Sequence, residues 1–336
     1  MANKVHVNKL REGVEAWNSW RAQNPEIEPD LEYSDFTKEM VVNCVLWEFD
    51  DQAGEYFVNL NDVNLENANL VGVKLSGVVL GNANLKRANL RYADLKDAVM
   101  SGAQLNGANL FVAKAQKASL GSASLEHCNL SSSDLHGAYL SKANLRMANL
   151  SAANLSQANL WDADLRGALL NRVNLEGAHV SGVKFLRSSL QLAYQGIRVD
   201  TCHGSQVFKS FARDQDYIEE LRNSGRKGNM IFWIWWSLAD CGRSIARWAA
   251  WSFFLAILFA AIYYVLGPSH ISVDKLPFSF ASMAYYSVVT FTTLGFGDIK
   301  PASEAGALVV TMEVITGYMM LGGLISIMAT KVARRS

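Results

Sequence analysis

From Leu60 onward every fifth residue is apolar. The run starts Leu60, Leu65, Leu70, Leu75 and ends Val180, Phe185, Leu190, and all 27 positions stay in phase. Two residues before nearly every one of these stands a small one, such as Ala68, Ala83, Ala143 or Ala158. Asn or Asp often lies between them, as in Ala143-Asn144-Leu145 and Ala163-Asp164-Leu165. A period of five fits neither the 3.6 of a helix nor the 2 of a strand. A short fixed period marks a solenoid whose units stack on one another. If each unit forms one side of a square coil, residue n lies over residue n+20. Leu65, Leu85, Leu105, Leu125, Leu145 and Leu165 then form one interior ladder. Ala115 breaks the ladder of Leu95 and Leu135 and predicts a thin spot.

These residues resemble the pentapeptide-repeat family, which implies a right-handed quadrilateral β-helix. Pro29-Asp30-Leu31 and Ser34-Asp35-Phe36 read as two earlier repeats, set apart by an insertion at about 37–55. At ~4.8 Å per coil the 27 units make a rod about 32 Å long. Residues 57–190 carry 13 Lys or Arg against 9 Asp or Glu, a net of +4. That sign argues against an acidic mimic of duplex DNA, and Lys86, Arg87 and Arg91 read as a solvated face rather than a nucleic-acid site. No nucleic acid is expected as a partner. Two roles for the rod stay open, a spacer or interaction scaffold for an unidentified cytosolic protein and a modulator of gating.

The chain falls into four stretches. Residues 1–56 hold an N-terminal helix, the first repeats and the insertion. Residues 57–200 are the β-helix, expected in the cytosol. Residues 201–247 form a connector and an interfacial helix. Residues 248–336 form the membrane domain. His6 to Arg21 reads as one amphipathic helix, with Leu10, Val14 and Trp17 on its apolar side, suited to capping the open end of the solenoid. The N-terminus shows no apolar run of a signal peptide. Cys44, Cys128, Cys202 and Cys241 have no pair or metal spacing and are expected as reduced thiols. Past Leu190 the period breaks. Ser205 to Arg222 has helical spacing, Gly225 to Asn229 reads as a flexible basic break, and 229–239 with Trp233, Trp235 and Trp236 reads as a helix in the membrane interface.

Trp248–Leu266 holds 19 residues without a charge, and Ala305–Thr330 holds 26 with only Glu313 charged. Both are long enough to cross a bilayer. Phe278 to Thr292 is apolar but too short to cross, and reads as a re-entrant half-helix begun by Pro277 and Ser279. Its C-terminal end carries the negative end of the helix dipole, which favours a cation. Arg243 and Arg247 before the first span, and Lys331, Arg334 and Arg335 after the second, place both termini in the cytoplasm of a multi-pass protein of the cell (inner) membrane.

The order span, half-helix, Thr293-Leu294-Gly295-Phe296-Gly297-Asp298, span resembles the pore module of two-transmembrane prokaryotic potassium channels. The resemblance implies an all-α pore domain of a homotetramer in a lipid bilayer. It implies no cofactor beyond permeant potassium ions. The carbonyls of Thr293, Leu294, Gly295 and Phe296 would then ring the ions. Gly295 and Gly297 suit backbone angles cheap only for glycine, and Asp298 matches the acid at the outer mouth. Leu294 stands where Val or Ile is commoner, Phe296 where Tyr is commoner, and Val289 where some members carry a Glu that bonds the filter Asp. Tyr286 is the other candidate partner for Asp298.

Gly317 takes the position of a hinge glycine, with Gly322 and Gly323 as rivals, while close helix packing is the other explanation of all three. Tyr318, Leu321, Ile325 and Ala329 share the stripe expected to line the cavity. Glu313 is an acid inside the bilayer and is expected to bond pore-helix groups behind the filter. No nucleophile–base pair, metal cluster or phosphate loop points to an enzyme. The rival readings are a non-selective cation channel and a membrane-anchored scaffold with a non-conducting pore module.

Overall fold

The computed structural model describes residues 2–37, 46–50, 55–186, 193–239, 241, 244–273, 276–292, 294 and 299–333. The chain divides into two compact units, Met1–Glu220 and Leu221–Ser336.

The first unit is the square coil. Its sides are joined by parallel bridges between residues 20 apart, among them Asn64↔Asn84, Asn84↔Gln104 and Lys114↔Asp134. Each side makes two rungs: Leu65 N–H donates to the Asn84 carbonyl at 2.7 Å, and Asn84 N–H donates to the Val63 carbonyl at 2.9 Å. The fifth-residue leucines and the small residues two before them are buried along one continuous core. Burying each leucine contributes about 1.5–3 kcal/mol. Ala115 keeps the register, with its N–H on the Asp134 carbonyl at 2.7 Å. The Asn and Asp between the two inward positions hold the corners. The Asn64, Asp134 and Asn154 Oδ1 atoms accept from the N–H two residues on, at 3.2, 3.1 and 3.2 Å. That local turn is the one these short polar side chains favour.

Asp30 and Asp35 bridge to Asn69 and Lys74, and Leu31 and Phe36 are buried in the same core. These two repeats therefore stack in the coil although 39 residues separate the paired positions. The described part of the insertion is a hairpin, β1 (Trp47–Asp50) on β2 (Glu55–Val58), with Trp47 opposite Val58.

The repeat also continues past the point where its period of five breaks. Asn174 bridges to Arg198 and His179 to His203, an offset of 24 rather than 20. Val199 and Cys202 occupy inward positions and are buried. Four extra residues shift the phase, which hides these units from a strict period of five. Leu190 lies outside the described residues.

The expected single N-terminal helix is two, α1 (Lys4–Arg11) and α2 (Val14–Gln23), because Gly13 between them takes φ 111°. Side chains of α2 satisfy the edge of the first full coil. Asn18 Nδ2 donates to the Asp62 carbonyl at 3.0 Å, its Oδ1 accepts from Asn64 N–H at 2.8 Å, and Trp17 Nε1 donates to the Asn64 carbonyl at 2.7 Å. An amide side chain thus replaces a missing rung of β-structure, whose bare edge would otherwise invite another strand.

The far end is closed by α3 (Gln206–Asn223). Phe208 and Phe211 pack on Phe185, and the Glu219 carboxylate accepts from Ala193 N–H at 2.7 Å and Tyr194 N–H at 2.9 Å. Burial pushes the Glu219 carboxyl up, against the pull of those two N–H groups. Cys128 and Cys202 are buried free thiols, and burial pushes Cys128 up to about 12. Cys241, in the second unit, is buried as well, and Cys44 lies outside the described residues.

The second unit begins with α4 (Arg226–Ala239). Arg226 to Asn229, expected as part of a flexible break, form its first turn, and only Ser224 and Gly225 interrupt the helices. Met230, Ile231, Trp233 and Ile234 are exposed on α4, while Phe232 is buried under the Arg222 guanidinium. Then come α5 (Ile245–Leu266), β3 (Ile271–Val273), α6 (Phe280–Phe291), β4 (Ile299–Pro301) and α7 (Glu304–Ala333). The expected all-α composition needs correction, because β3 and β4 pair antiparallel with Val273 opposite Ile299.

Candidate functional site

Two helices of the second unit, Ile245–Leu266 and Glu304–Ala329, are long and apolar enough to span a membrane. Ser244 caps α5 by accepting from Arg247 N–H at 3.1 Å. Between the spans, α6 has 12 residues, about 18 Å at 1.5 Å each, too short to cross. It starts where Pro277 and Ser279 suggest: Ser279 is its N-cap, and Ser282 Oγ donates to the Pro277 carbonyl at 2.6 Å. Its last turn closes with Thr292 N–H on the Val288 carbonyl at 3.0 Å. Leu294 N–H then bonds the Val289 carbonyl at 2.9 Å.

The β3–β4 ribbon fixes where the chain returns. His270 Nδ1 and Ser303 Oγ are 2.6 Å apart, and Ala302 N–H donates to the His270 carbonyl at 2.8 Å. The stretch between α6 and β4 is therefore tied at both ends to defined structure. Thr293, Gly295, Phe296, Gly297 and Asp298, the expected filter residues, lie outside the described residues, and Leu294 alone of that group is described, with its side chain exposed. The contemplated pairing of Tyr286 with Asp298 falls outside them for the same reason. Tyr286 itself packs against Tyr263 of α5, with ring centroids 5.1 Å apart and planes tilted by 53°.

Glu313 on α7 is fully buried. Tyr263 of α5 donates its hydroxyl to Glu313 Oε2, and Ser287 Oγ of α6 meets Oε1. Ser287 Oγ also contacts the Ala256 carbonyl of α5 at 2.6 Å. Three helices therefore meet at one carboxyl group, and Ser287 lies four residues before Phe291, the last residue of α6. Tyr263, Ser287 and Ala256 were not legible as its partners, although hydroxyl-bearing residues inside apolar helices are the signal that marks such positions.

Helix α7 runs unbroken through Gly317, Gly322 and Gly323. A Cβ on Gly317 would strike the Phe291 carbonyl, and one on Gly323 would strike the Trp248 ring, whereas Gly322 has no neighbour within 4 Å. Two of the three glycines thus permit close approach. Tyr318, Leu321 and Ile325 are exposed at i, i+3 and i+7 on α7, and Ala329 is exposed with them.

Residues 251–334 match the ion-channel family, and residues 59–85, 79–111, 113–146 and 148–185 match the family of pentapeptide repeats in eight copies. The chain joins a pentapeptide-repeat domain to an ion-channel domain. Neither family is one of enzymes. The ion-channel domain, with its two membrane-length helices, makes this a membrane protein. Among solved structures, the pentapeptide repeat protein Rfr23 from the cyanobacterium Cyanothece 51142 is 33% identical, over 38% of this chain and 91% of its own, with a TM-score of 0.26. HetL, a pentapeptide repeat protein involved in heterocyst differentiation regulation from Nostoc sp. strain PCC 7120, is 26% identical over 43% of this chain and 86% of its own, with a TM-score of 0.15. AT2G44920, a pentapeptide repeat protein from the Arabidopsis thaliana thylakoid lumen, is 25% identical over 44% and 90%, with a TM-score of 0.23. No curated protein sequence matches the chain.

Proposed function

We propose that four copies of the chain assemble a potassium-selective channel whose filter is Thr293-Leu294-Gly295-Phe296-Gly297-Asp298. The observation that carries this reading is the placement of that hexapeptide. It follows a 12-residue helix and precedes β4, the second strand of the ribbon, between two membrane-length helices of an ion-channel domain. The carbonyls of Thr293, Leu294, Gly295 and Phe296 replace the hydration shell of potassium, and the C-terminal end of α6 favours the cation. One strand supplies a quarter of each ring, so a homotetramer is required. The exposed stripe of Tyr318, Leu321 and Ile325 lines the cavity below. Basic residues flanking the two spans place both termini, and with them the repeat domain, in the cytoplasm at the inner membrane. The buried thiols of Cys128 and Cys202, which form no disulfide, accord with that side.

The test is ion flux from the purified full-length protein in liposomes under potassium, rubidium and sodium gradients, with Gly295→Asp as the dead control. A reversal potential that follows potassium supports the reading. One indifferent to the cation overturns selectivity, and no flux in any salt or at any pH overturns conduction. Removing residues 1–225 tests the repeat domain. Unchanged flux marks it as a spacer or scaffold, and lost flux with the tetramer intact marks it as part of gating.

A further inference from the structure

The cluster at Glu313 carries an inference that rests on the channel reading above. Three oxygen–oxygen contacts meet there: Tyr263 hydroxyl to Glu313 Oε2, Glu313 Oε1 to Ser287 Oγ, and Ser287 Oγ to the Ala256 carbonyl. Each contact holds only if one proton lies between its two oxygens, since two lone pairs face each other otherwise. Tyr263 supplies the first proton. Ser287 has one hydroxyl proton, and the Ala256 carbonyl has none to give. If Ser287 donates to Ala256, Glu313 Oε1 must bring its own proton. If Ser287 donates to Oε1 instead, the Ala256 carbonyl lies against a bare lone pair. Only the carboxylic acid fills all three contacts.

The surroundings agree. The titratable groups facing Glu313 are Tyr263 on α5 and Tyr286 on α6. Its polar partners among the described residues are Ser287 and Tyr263, and no cation stands among these. An unpaired carboxylate at a buried site in the membrane is costly, and protonation removes that cost.

We infer that Glu313 is held as a neutral carboxylic acid, and that the relay Tyr263–Glu313–Ser287–Ala256 is the positioning device that locks α6 to both spans. Ser287 sits on the turn that leads to Val289 and Thr292, so its anchorage sets where α6 hands the chain to Thr293. Loss of the third proton in alkaline solution breaks one link, and α6 is freed from one span.

The experiment uses full-length protein in liposomes, with two readouts. Infrared spectra at neutral pH show the carbonyl stretch of a protonated carboxyl in wild type, absent from Glu313→Gln. Potassium-over-sodium selectivity stays within about twofold of wild type in Glu313→Gln, whose amide N–H replaces the acid proton. It falls about tenfold in Glu313→Asp, the effect of one lost buried hydrogen bond, and at least as far in Ser287→Ala, which loses the contacts to both Glu313 and the Ala256 carbonyl. Wild-type selectivity declines on alkalinisation, and that of Glu313→Gln does not. Absence of the protonated-carboxyl band, or a Glu313→Gln protein as unselective as Glu313→Asp, overturns the inference. A wild type that shows the band but passes no ion supports the neutral acid and overturns the channel reading alone.

Discussion

Trp248 donates its indole N–H to the Met320 carbonyl at 2.7 Å, and its ring fills the place a Cβ on Gly323 would need. The start of α5 is thereby bolted to the C-terminal half of α7. Gly323→Ala forces the ring aside, an overpacking cost of about 1–3 kcal/mol, reduced by the better helix propensity of alanine, about 1 kcal/mol. Trp248→Phe loses the hydrogen bond, about 1 kcal/mol, and frees space. The double variant is expected to be more stable than the sum of the two losses, as for residues in contact. Thermal unfolding of the full-length protein in detergent measures this, and strict additivity would refute the contact.

Gly317 and Gly322 separate packing from hinge motion. Gly317→Ala sets a methyl against the Phe291 carbonyl, which is backbone and cannot rotate away. Ion flux is expected to fall sharply while the protein still inserts into membranes. Gly322→Ala meets nothing within 4 Å and stabilises the helix by up to about 1 kcal/mol. Equal effects of the two substitutions on flux would argue against a packing role for Gly317.

The edge formed by Asp62 and Asn64 is sealed by two side chains of α2. Asn18→Ala strands a backbone N–H and a carbonyl, at a cost of about 1–3 kcal/mol. Trp17→Ala removes a fully buried ring and its bond to the Asn64 carbonyl, at a cost of about 3–5 kcal/mol. Both variants are expected to unfold earlier in denaturant and to associate through the exposed coil edge, visible as higher oligomers in light scattering.

Glu219 gives the far cap a pH dependence. Its folded carboxyl titrates above the ordinary value of 4.5, so the native state binds the proton more readily than the unfolded chain. The stabilisation is full below that ordinary value and is lost as pH rises through the folded one. Glu219→Gln keeps a carbonyl oxygen for Ala193 N–H and Tyr194 N–H, and is expected to flatten this part of the stability profile. Denaturant midpoints of the two proteins across that range decide it, and parallel curves would count against burial as the cause.

Much of the repeat domain could be read from spacing, because a side of the square coil is one period long and its inward residues are fixed by it. Leu65 to Leu165 needed no more than counting. Units off the phase were not legible in the same way. Leu31 and Phe36 are legible in their local Asp-Leu and Asp-Phe pattern, whereas the inward positions of Val199 and Cys202 are hidden behind a four-residue shift. In the membrane unit the spans, the half-helix and its Ser279 cap were legible, since hydropathy and capping are local properties. The β3–β4 ribbon was not, because three-residue strands such as Ile271–Val273 carry no period and exist only by pairing.

Sequence alone determined the coil of period five, the two spans, the short helix between them and the Thr293–Asp298 motif. Each of these follows from residues near one another in the chain. Tertiary structure decided what closes the coil and what the lone acid touches. Asn18 stands in for a strand because an edge 44 residues away needs a donor and an acceptor. Glu313 meets Tyr263 and Ser287 because three helices cross at one point, 50 and 26 residues apart in the chain. Such partners are chosen by burial, which penalises an unsatisfied polar group, and no local pattern announces them.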